Sequence, residues 1–146
     1  MKYTLDIEIN KPIDEVIKLF DSSENITKWM EGLKSFEHLE GTPGKPGAKS
    51  VLKFELAKRK FEMVETVIAL NLPEEFTASY ETPDGAISTV KNSFVALSEN
   101  QTKYISDNSF EMKGLMMRII AFLMPGMFKK QTMKYLVAFK EFAEGN

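Results

Sequence analysis

Hydrophobic and polar residues alternate over the first ten positions, and this alternation predicts an opening β-strand. The apolar members fall on every second residue, with charged or polar residues between them: Tyr3, Leu5, Ile7 and Ile9. A period of two gives a strand one buried and one exposed face. We therefore expect the chain to begin as a strand at the surface of a core.

Two short helices are predicted next. Pro12 suits the first turn of a helix, and the apolar residues after it recur at helical spacing: Ile13, Val16, Ile17 and Phe20. The polar run 21–23 stops this helix and can cap a second one. The apolar stripe of that second helix is predicted to comprise Ile26, Trp29, Met30 and Leu33.

From Ser35 onward the period returns to two, which predicts an antiparallel meander. Apolar residues alternate with polar ones around 52–56, 61–67 and 76–80, and two further strands are expected at about 87–97 and 102–112. Turn-forming residues separate these segments at 41–47, 58–60, 72–75, 83–85 and 98–101. Such short connections favour hairpins between antiparallel neighbours.

The C-terminal third returns to helical spacing on both sides of a proline. Its apolar residues are Leu115, Ile119, Phe122 and Leu123, then Phe128, Leu136, Phe139 and Phe142. Pro125 lacks a backbone donor, so we expect a kink or break near Met124 to Gly126. The stretch 115–128 is interrupted by Arg118 and is shorter than the roughly 20 residues that span a bilayer, so no transmembrane segment is predicted.

Composition narrows the chemistry. The 146 residues include one His and no Cys, which excludes thiol nucleophiles, disulfides and multi-His metal sites, and we expect no metal or cofactor. The formal net charge of -2 gives no general attraction to nucleic acid. We expect a single domain over residues 1–146 and, because no targeting segment is recognised at its start, a cytoplasmic location.

Several local motifs, taken in order, carry a resemblance to a known family. They are Ile13-Asp14-Glu15-Val16, Asp21 followed by Trp29 and Met30, the loop 41–47, Glu65-Thr66-Val67, and Phe139-Lys140-Glu141-Phe142. Over its whole length the chain resembles the SRPBCC superfamily of START-like proteins, and most of all its polyketide cyclase/dehydrase and lipid-transport branch. The resemblance implies an α+β helix-grip fold, in which a curved antiparallel sheet of about seven strands wraps a long C-terminal helix around an apolar pocket.

Apolar residues in phase with the expected core are candidates to line such a pocket. From the sheet they are Phe54, Met63, Tyr80, Phe94 and Phe110, and from the C-terminal helix Met116, Ile119, Phe122, Phe128 and Tyr135. Side chains of this kind fill protein cores by default, so simple core packing stays open for each of them.

Polar residues in phase with apolar ones are more informative, because a buried polar group needs a partner. Glu65 shares strand parity with Met63, so its carboxyl is expected to point inward, with a raised pKa and a role as acid, base or ligand partner. A bulge, or an ion pair with Arg59, Arg118 or a lysine, is the alternative. Asn92 is expected to orient a ligand unless Val95 and Leu97 form the inner face. Ser106 and Asn108 have the same ambiguity.

Charged and aromatic residues near the expected pocket mouth are open to two interpretations. His38 lacks a nearby orienting carboxylate, so a satisfied or exposed histidine is favoured over a catalytic base. Arg118 either reaches water or binds a ligand carboxylate or phosphate. If Met124, Met127 and Phe128 are exposed, they form an apolar patch suited to transient contact with a membrane or a protein.

Three function classes follow. The favoured hypothesis is a protein that binds a small apolar molecule, such as a lipid, fatty acid or polyketide-like compound, without covalent chemistry. The second is an enzyme resembling polyketide cyclases or dehydratases, with Glu65 as its acid/base. The third is a co-chaperone-like interaction module, which predicts a filled or negligible cavity.

Overall fold

A computed structural model of the chain describes residues 1–111, 114, 115, 118, 119, 122 and 125–146. Leu115, Arg118, Ile119 and Phe122 are helical. The elements are β1 (Lys2–Ile9), α1 (Ile13–Phe20), α2 (Ile26–Trp29), β2 (Leu33–Glu40), β3 (Lys49–Leu56), β4 (Arg59–Asn71), β5 (Glu75–Glu81), β6 (Ile87–Ser98), β7 (Gln101–Glu111) and α3 (Pro125–Glu144).

The seven strands form one antiparallel sheet in the order β1-β7-β6-β5-β4-β3-β2. Each strand from β2 to β7 pairs with its neighbour in sequence, as the short turns predict. The first strand pairs with the last, Tyr3 opposite Asn108, so β1 and β2 are the two edges. The α+β arrangement expected from the sequence, with two short helices after the first strand, is confirmed.

The second helix is shorter than the sequence predicts. Leu33 was expected on its apolar stripe, but the helix covers only Ile26–Trp29 and Leu33 is the first residue of β2. Gly32 adopts φ +82°, and a Cβ there would lie 2.5 Å from Leu56 Cγ. Only glycine fits this turn, which places Leu33 in a small core beside Leu52 and Phe54.

The main core is an aromatic cluster that joins five elements, and its members are Phe20, Trp29, Phe94, Tyr104 and Phe139. Phe139 of α3 is fully buried, and its ring centroid lies 5.5 Å from that of Phe20 and 5.1 Å from that of Trp29. Tyr104 is 5.8 Å from Phe139 and 4.7 Å from Phe94. The three edge-to-face pairs that Phe139 makes, and the stacked pair of Phe94 and Tyr104, add to the burial of apolar area. The cluster holds the second half of α3 against β6, β7 and the two short helices.

The C-terminal helix α3 begins at Pro125, where the sequence predicts a kink or break. Proline suits a first helical position because its missing N–H needs no partner there. Met124, on the other side of the predicted break, lies outside the described residues. Among the described helices, none is long and apolar enough to cross a membrane.

Truncation of Phe139 is expected to destabilise the protein strongly. Phe139→Ala removes a fully buried ring in contact with three other aromatic rings, so we expect a loss of about 3–5 kcal/mol in the free energy of unfolding. Urea denaturation measures the change. Val137→Ala, at a 38% exposed position of the same helix, is the control. Similar losses for the two variants would contradict the assignment of the core.

Candidate functional site

A cavity of about 960 Å³ lies between the sheet and the first half of α3. From α3 it is lined by Phe128, Gln131, Thr132 and Tyr135, which recur at the spacing of one helix face. From the sheet, small side chains such as Ser88, Val90 and Ser106 face this helix. Because short side chains stand opposite the helix there, the space between the two layers is not filled.

One row of side chains crosses the sheet side of the cavity. Ser50, Glu65, Tyr80, Ser88 and Phe110 are successive pairing partners on β3, β4, β5, β6 and β7. All five line the cavity, and directly opposed residues in a sheet bring their side chains together on one face. Four of them carry oxygen atoms, so a polar band runs through walls that are otherwise mostly apolar.

Glu65 is the carboxyl of this band and is only 5% exposed. The bulge in β4 lies between Val67 and Ala69, beyond Glu65, so the strand parity that points Glu65 inward is preserved and the expected orientation is confirmed. The described ion pairs do not include Glu65. Burial raises the pKa of Glu65, and a hydrogen bond with the Tyr80 side chain lowers it in part.

Tyr80 is the partner of Glu65 across β4 and β5. Burial and the adjacent Glu65 carboxylate both raise the pKa of the Tyr80 phenol well above its usual range. The phenol therefore stays protonated and keeps a proton to donate. The pair places one hydroxyl donor beside one carboxyl in the cavity wall.

Asn92 points inward, as its parity with Val90 predicts, but its amide already has protein partners. Its side-chain oxygen accepts a hydrogen bond from the Tyr104 hydroxyl at 2.5 Å, and its amide nitrogen donates to the Phe76 carbonyl oxygen at 3.3 Å. Val95 and Leu97 are exposed on the other face, so the competing register is excluded. Asn92 contributes to the cavity wall as part of this network.

Ser106 and Asn108 of β7 also point inward and line the cavity. The Asn108 amide nitrogen donates to the Ser106 carbonyl oxygen at 3.1 Å and to its hydroxyl oxygen at 3.0 Å. These bonds lie within one strand and hold both side chains beside the polar band. The ambiguity about their faces is thereby resolved.

The first turns of α3 are fixed to β1 at the cavity edge. The Tyr3 hydroxyl donates to the Phe128 carbonyl oxygen at 3.1 Å and lies 2.6 Å from the Thr132 hydroxyl oxygen. The Phe110 ring stands 5.8 Å from the ring of Tyr3 and 5.2 Å from that of Phe128. These contacts set the distance between helix and sheet at this end.

Comparison with solved structures identifies the architecture. A conserved protein from Geobacillus kaustophilus superposes with a TM-score of 0.79 at 16% identity, over 98% of this chain and 95% of that one. The Zhui aromatase/cyclase from Streptomyces sp. R1128 gives 0.78 at 12% identity, over 99% and 93%. Ara h 8.0201 gives 0.75 at 14% identity, over 100% and 99%.

The chain has a helix-grip fold, in which a seven-stranded antiparallel sheet packs against a long C-terminal helix. The resemblance noted in the sequence is confirmed at the level of fold. No family model matches the sequence, and no curated protein matches it.

The helix-grip cavity includes most of the residues that the sequence nominated. Eight of them line it: Phe54, Met63, Glu65, Tyr80, Asn92, Phe110, Phe128 and Tyr135. Phe94 does not line the cavity, contrary to the prediction from the sequence. Its ring stands 5.0 Å from Phe20 and 4.7 Å from Tyr104, so Phe94 is a member of the aromatic cluster. Strand parity gives its face but not what covers that face.

Three nominated residues between β7 and α3 in the sequence lie at the surface. Arg118 is exposed, Ile119 is 46% exposed and Phe122 is 84% exposed, and none of the three is among the described residues that line the cavity. Their helical spacing is compatible with either side of a helix, which explains the discrepancy. Met116 lies outside the described residues.

His38 is exposed, as favoured from the sequence, and its Nε2 lies 2.7 Å from the Gly41 carbonyl oxygen. It stands at the cavity rim. The described residues include no group of three or more His, Cys, Asp or Glu side chains placed to hold a metal ion.

Four polar residues on the strands and on α3 line the helix-grip cavity without being predicted to do so, as do Asp21, Ser22 and Ser23, which were interpreted only as a helix stop and cap. Ser50 and Ser88 share strand parity with apolar residues that were recognised as inward. Gln131 and Thr132 fall three and four residues after Phe128, on the stripe that also carries Tyr135. Strand parity and helical spacing are sufficient to place these four residues on inward faces.

Replacement of Glu65 by Gln is expected to change how stability depends on pH. Because the pKa of Glu65 is raised by burial, the folded state holds this proton more tightly than the unfolded chain does. Wild-type stability therefore falls as pH rises from the unfolded pKa through the raised folded pKa, and the Glu65→Gln variant lacks this loss. The stability of the variant relative to wild type should grow over this interval and then level off.

Urea denaturation at a series of pH values measures this difference. Glu62→Gln removes a carboxylate from an exposed position of the same strand and is the matched control. A difference between Glu65→Gln and wild type that does not vary with pH would show that Glu65 is not buried as described.

Proposed function

We propose that this chain is a binding protein for a small, mostly apolar molecule that carries a few oxygen atoms, such as a lipid, a fatty acid or a polyketide-like compound. It would act as one domain over residues 1–146, in the cytoplasm. The cavity of about 960 Å³ is at the upper end of the size common for ligand sites, about 300–1,000 Å³. The proposal assigns the ligand to this cavity.

The observation that carries the proposal is the polar band inside the apolar cavity. The band brings the polar side chains of Ser50, Glu65, Tyr80 and Ser88 side by side along a cavity wall that is otherwise mostly apolar. Ligand hydroxyl or carbonyl groups can hydrogen-bond along this row. The apolar part of the ligand would pack against Phe54, Met63 and Phe128.

The structural neighbours support the same chemical class. One of them is an aromatase/cyclase, and this favours a polyketide-like ligand among the candidates. At 12% identity that likeness is one of fold, and the lining of the cavity is the stronger support for the ligand class.

An enzyme of the cyclase or dehydratase type is the second candidate. It is favoured by the raised pKa of Glu65, which lets its carboxyl act as a proton donor, and by the adjacent Tyr80 hydroxyl. Glu65→Gln separates the two candidates. The enzyme hypothesis predicts that this variant binds a poly-β-ketone analogue but no longer converts it, whereas the binding hypothesis predicts a change in affinity alone.

The interaction-module hypothesis predicts a filled or negligible cavity. The open volume between α3 and the sheet weighs against it.

Filling the cavity is expected to abolish ligand uptake. Val90 of β6 lines the cavity, and Val90→Trp would occupy the space between the sheet and α3. We expect the affinity for a fluorescent fatty acid, measured by titration, to fall at least about tenfold. Val95→Trp adds the same side chain on the exposed face of β6 and is the matched control.

Circular dichroism establishes that both variants are folded before their affinities are compared. Equal affinity of Val90→Trp and wild type would contradict the proposal. Equal loss in both variants would also contradict it, since the effect would then not depend on the cavity.

A further inference from the structure

Charge is strongly segregated along this chain. Between Glu111 and Glu141 the sequence contains six basic residues and no acidic one: Lys113, Arg118, Lys129, Lys130, Lys134 and Lys140. The remaining residues carry 13 Lys and Arg against 21 Asp and Glu. The overall charge of -2 is therefore the sum of one basic segment and an otherwise acidic chain.

The same segment exposes large apolar side chains. Leu115 is 76% exposed, Phe122 is 84% exposed and Met127 is 45% exposed. Scattered apolar residues on a surface need no explanation, and these three are of interest because they fall within the basic segment between Glu111 and Glu141. Leu115, Arg118, Phe122, Met127, Lys129 and Lys130, all exposed, are called the basic-apolar surface below.

Part of this surface, namely Met127, Lys129 and Lys130, belongs to the helix α3 that also lines the cavity. Phe128, Thr132 and Tyr135 of α3 line the cavity, whereas Met127, Lys130 and Lys134, also at helical spacing, are exposed to solvent. One helix thus presents one side to the cavity and another to the surroundings. A partner that docks on the exposed side comes within one helix diameter of the cavity wall, about 10 Å.

We propose that the basic-apolar surface docks on a lipid bilayer that contains anionic headgroups. Basic side chains gain attraction from anionic lipid, and apolar side chains such as Phe122 and Leu115 gain burial in the boundary between headgroups and acyl chains. Such docking requires charge and apolar area but no matching shape. The segregated charge and the highly exposed Phe122 therefore fit a membrane surface better than a protein partner.

Vesicle co-sedimentation tests the proposal with the full chain. We expect binding to vesicles of equal parts phosphatidylcholine and phosphatidylglycerol, and binding at least about tenfold weaker to phosphatidylcholine alone. Lys129→Glu with Lys130→Glu should weaken binding to the mixed vesicles by about tenfold or more. Phe122→Ser, which leaves the charge unchanged, should also weaken it about tenfold.

The matched control reverses two lysines elsewhere. Lys60→Glu with Lys91→Glu makes the same change in net charge at exposed positions of β4 and β6, and it should leave vesicle binding within about twofold of wild type. Equal weakening by both double variants would overturn the proposal, because net charge rather than this surface would then decide binding. No binding to mixed vesicles, or equal binding to both vesicle types, would overturn it as well.

Docking and ligand uptake can be measured separately. Val90→Trp changes the cavity wall and leaves the basic-apolar surface intact, so it should bind mixed vesicles as wild type does. A result in which Val90→Trp loses fatty-acid uptake but keeps vesicle binding supports the two sites independently. Loss of vesicle binding in a folded Val90→Trp protein would contradict a surface site.

Discussion

Contact between aromatic rings from five different elements determines where the C-terminal helix lies. Phe139 packs against Phe20, Trp29 and Tyr104, and so holds the second half of α3 on the sheet. The first turns are held separately, by the Tyr3 hydroxyl at the edge strand β1. Between these two attachments the side of the sheet that faces the helix includes short side chains such as Ser88, Val90 and Ser106. The cavity is the space that results.

An open cavity with a buried carboxyl group in its wall has an energetic cost. Protein interiors are normally close-packed, and a carboxyl group removed from water shifts toward its neutral form. Here Glu65 is buried beside Tyr80, and the described residues provide no ion pair for it. A ligand that filled the cavity and bonded to this pair would offset part of that cost. This physical reason links the packing of α3 to a binding role.

Much of the fold could be predicted because alternation and helical spacing are local properties. The strands and the inward face of Glu65 follow from parity, and the bulge in β4 lies beyond Glu65, whereas parity left the face of Asn92 open. Parity could not reveal that Phe20 covers Phe94, since that contact depends on how α1 packs on β6. Helical spacing likewise could not show that Phe122 is exposed, because it defines a stripe but not the direction in which the stripe points.

Native mass spectrometry of the purified protein can show whether the cavity holds a small apolar molecule. We predict a species heavier than the 146-residue chain by the mass of one non-covalent molecule, which is either released by organic extraction or acquired on incubation with a fatty acid. The mass of the bare chain alone, both as purified and after that incubation, would contradict it.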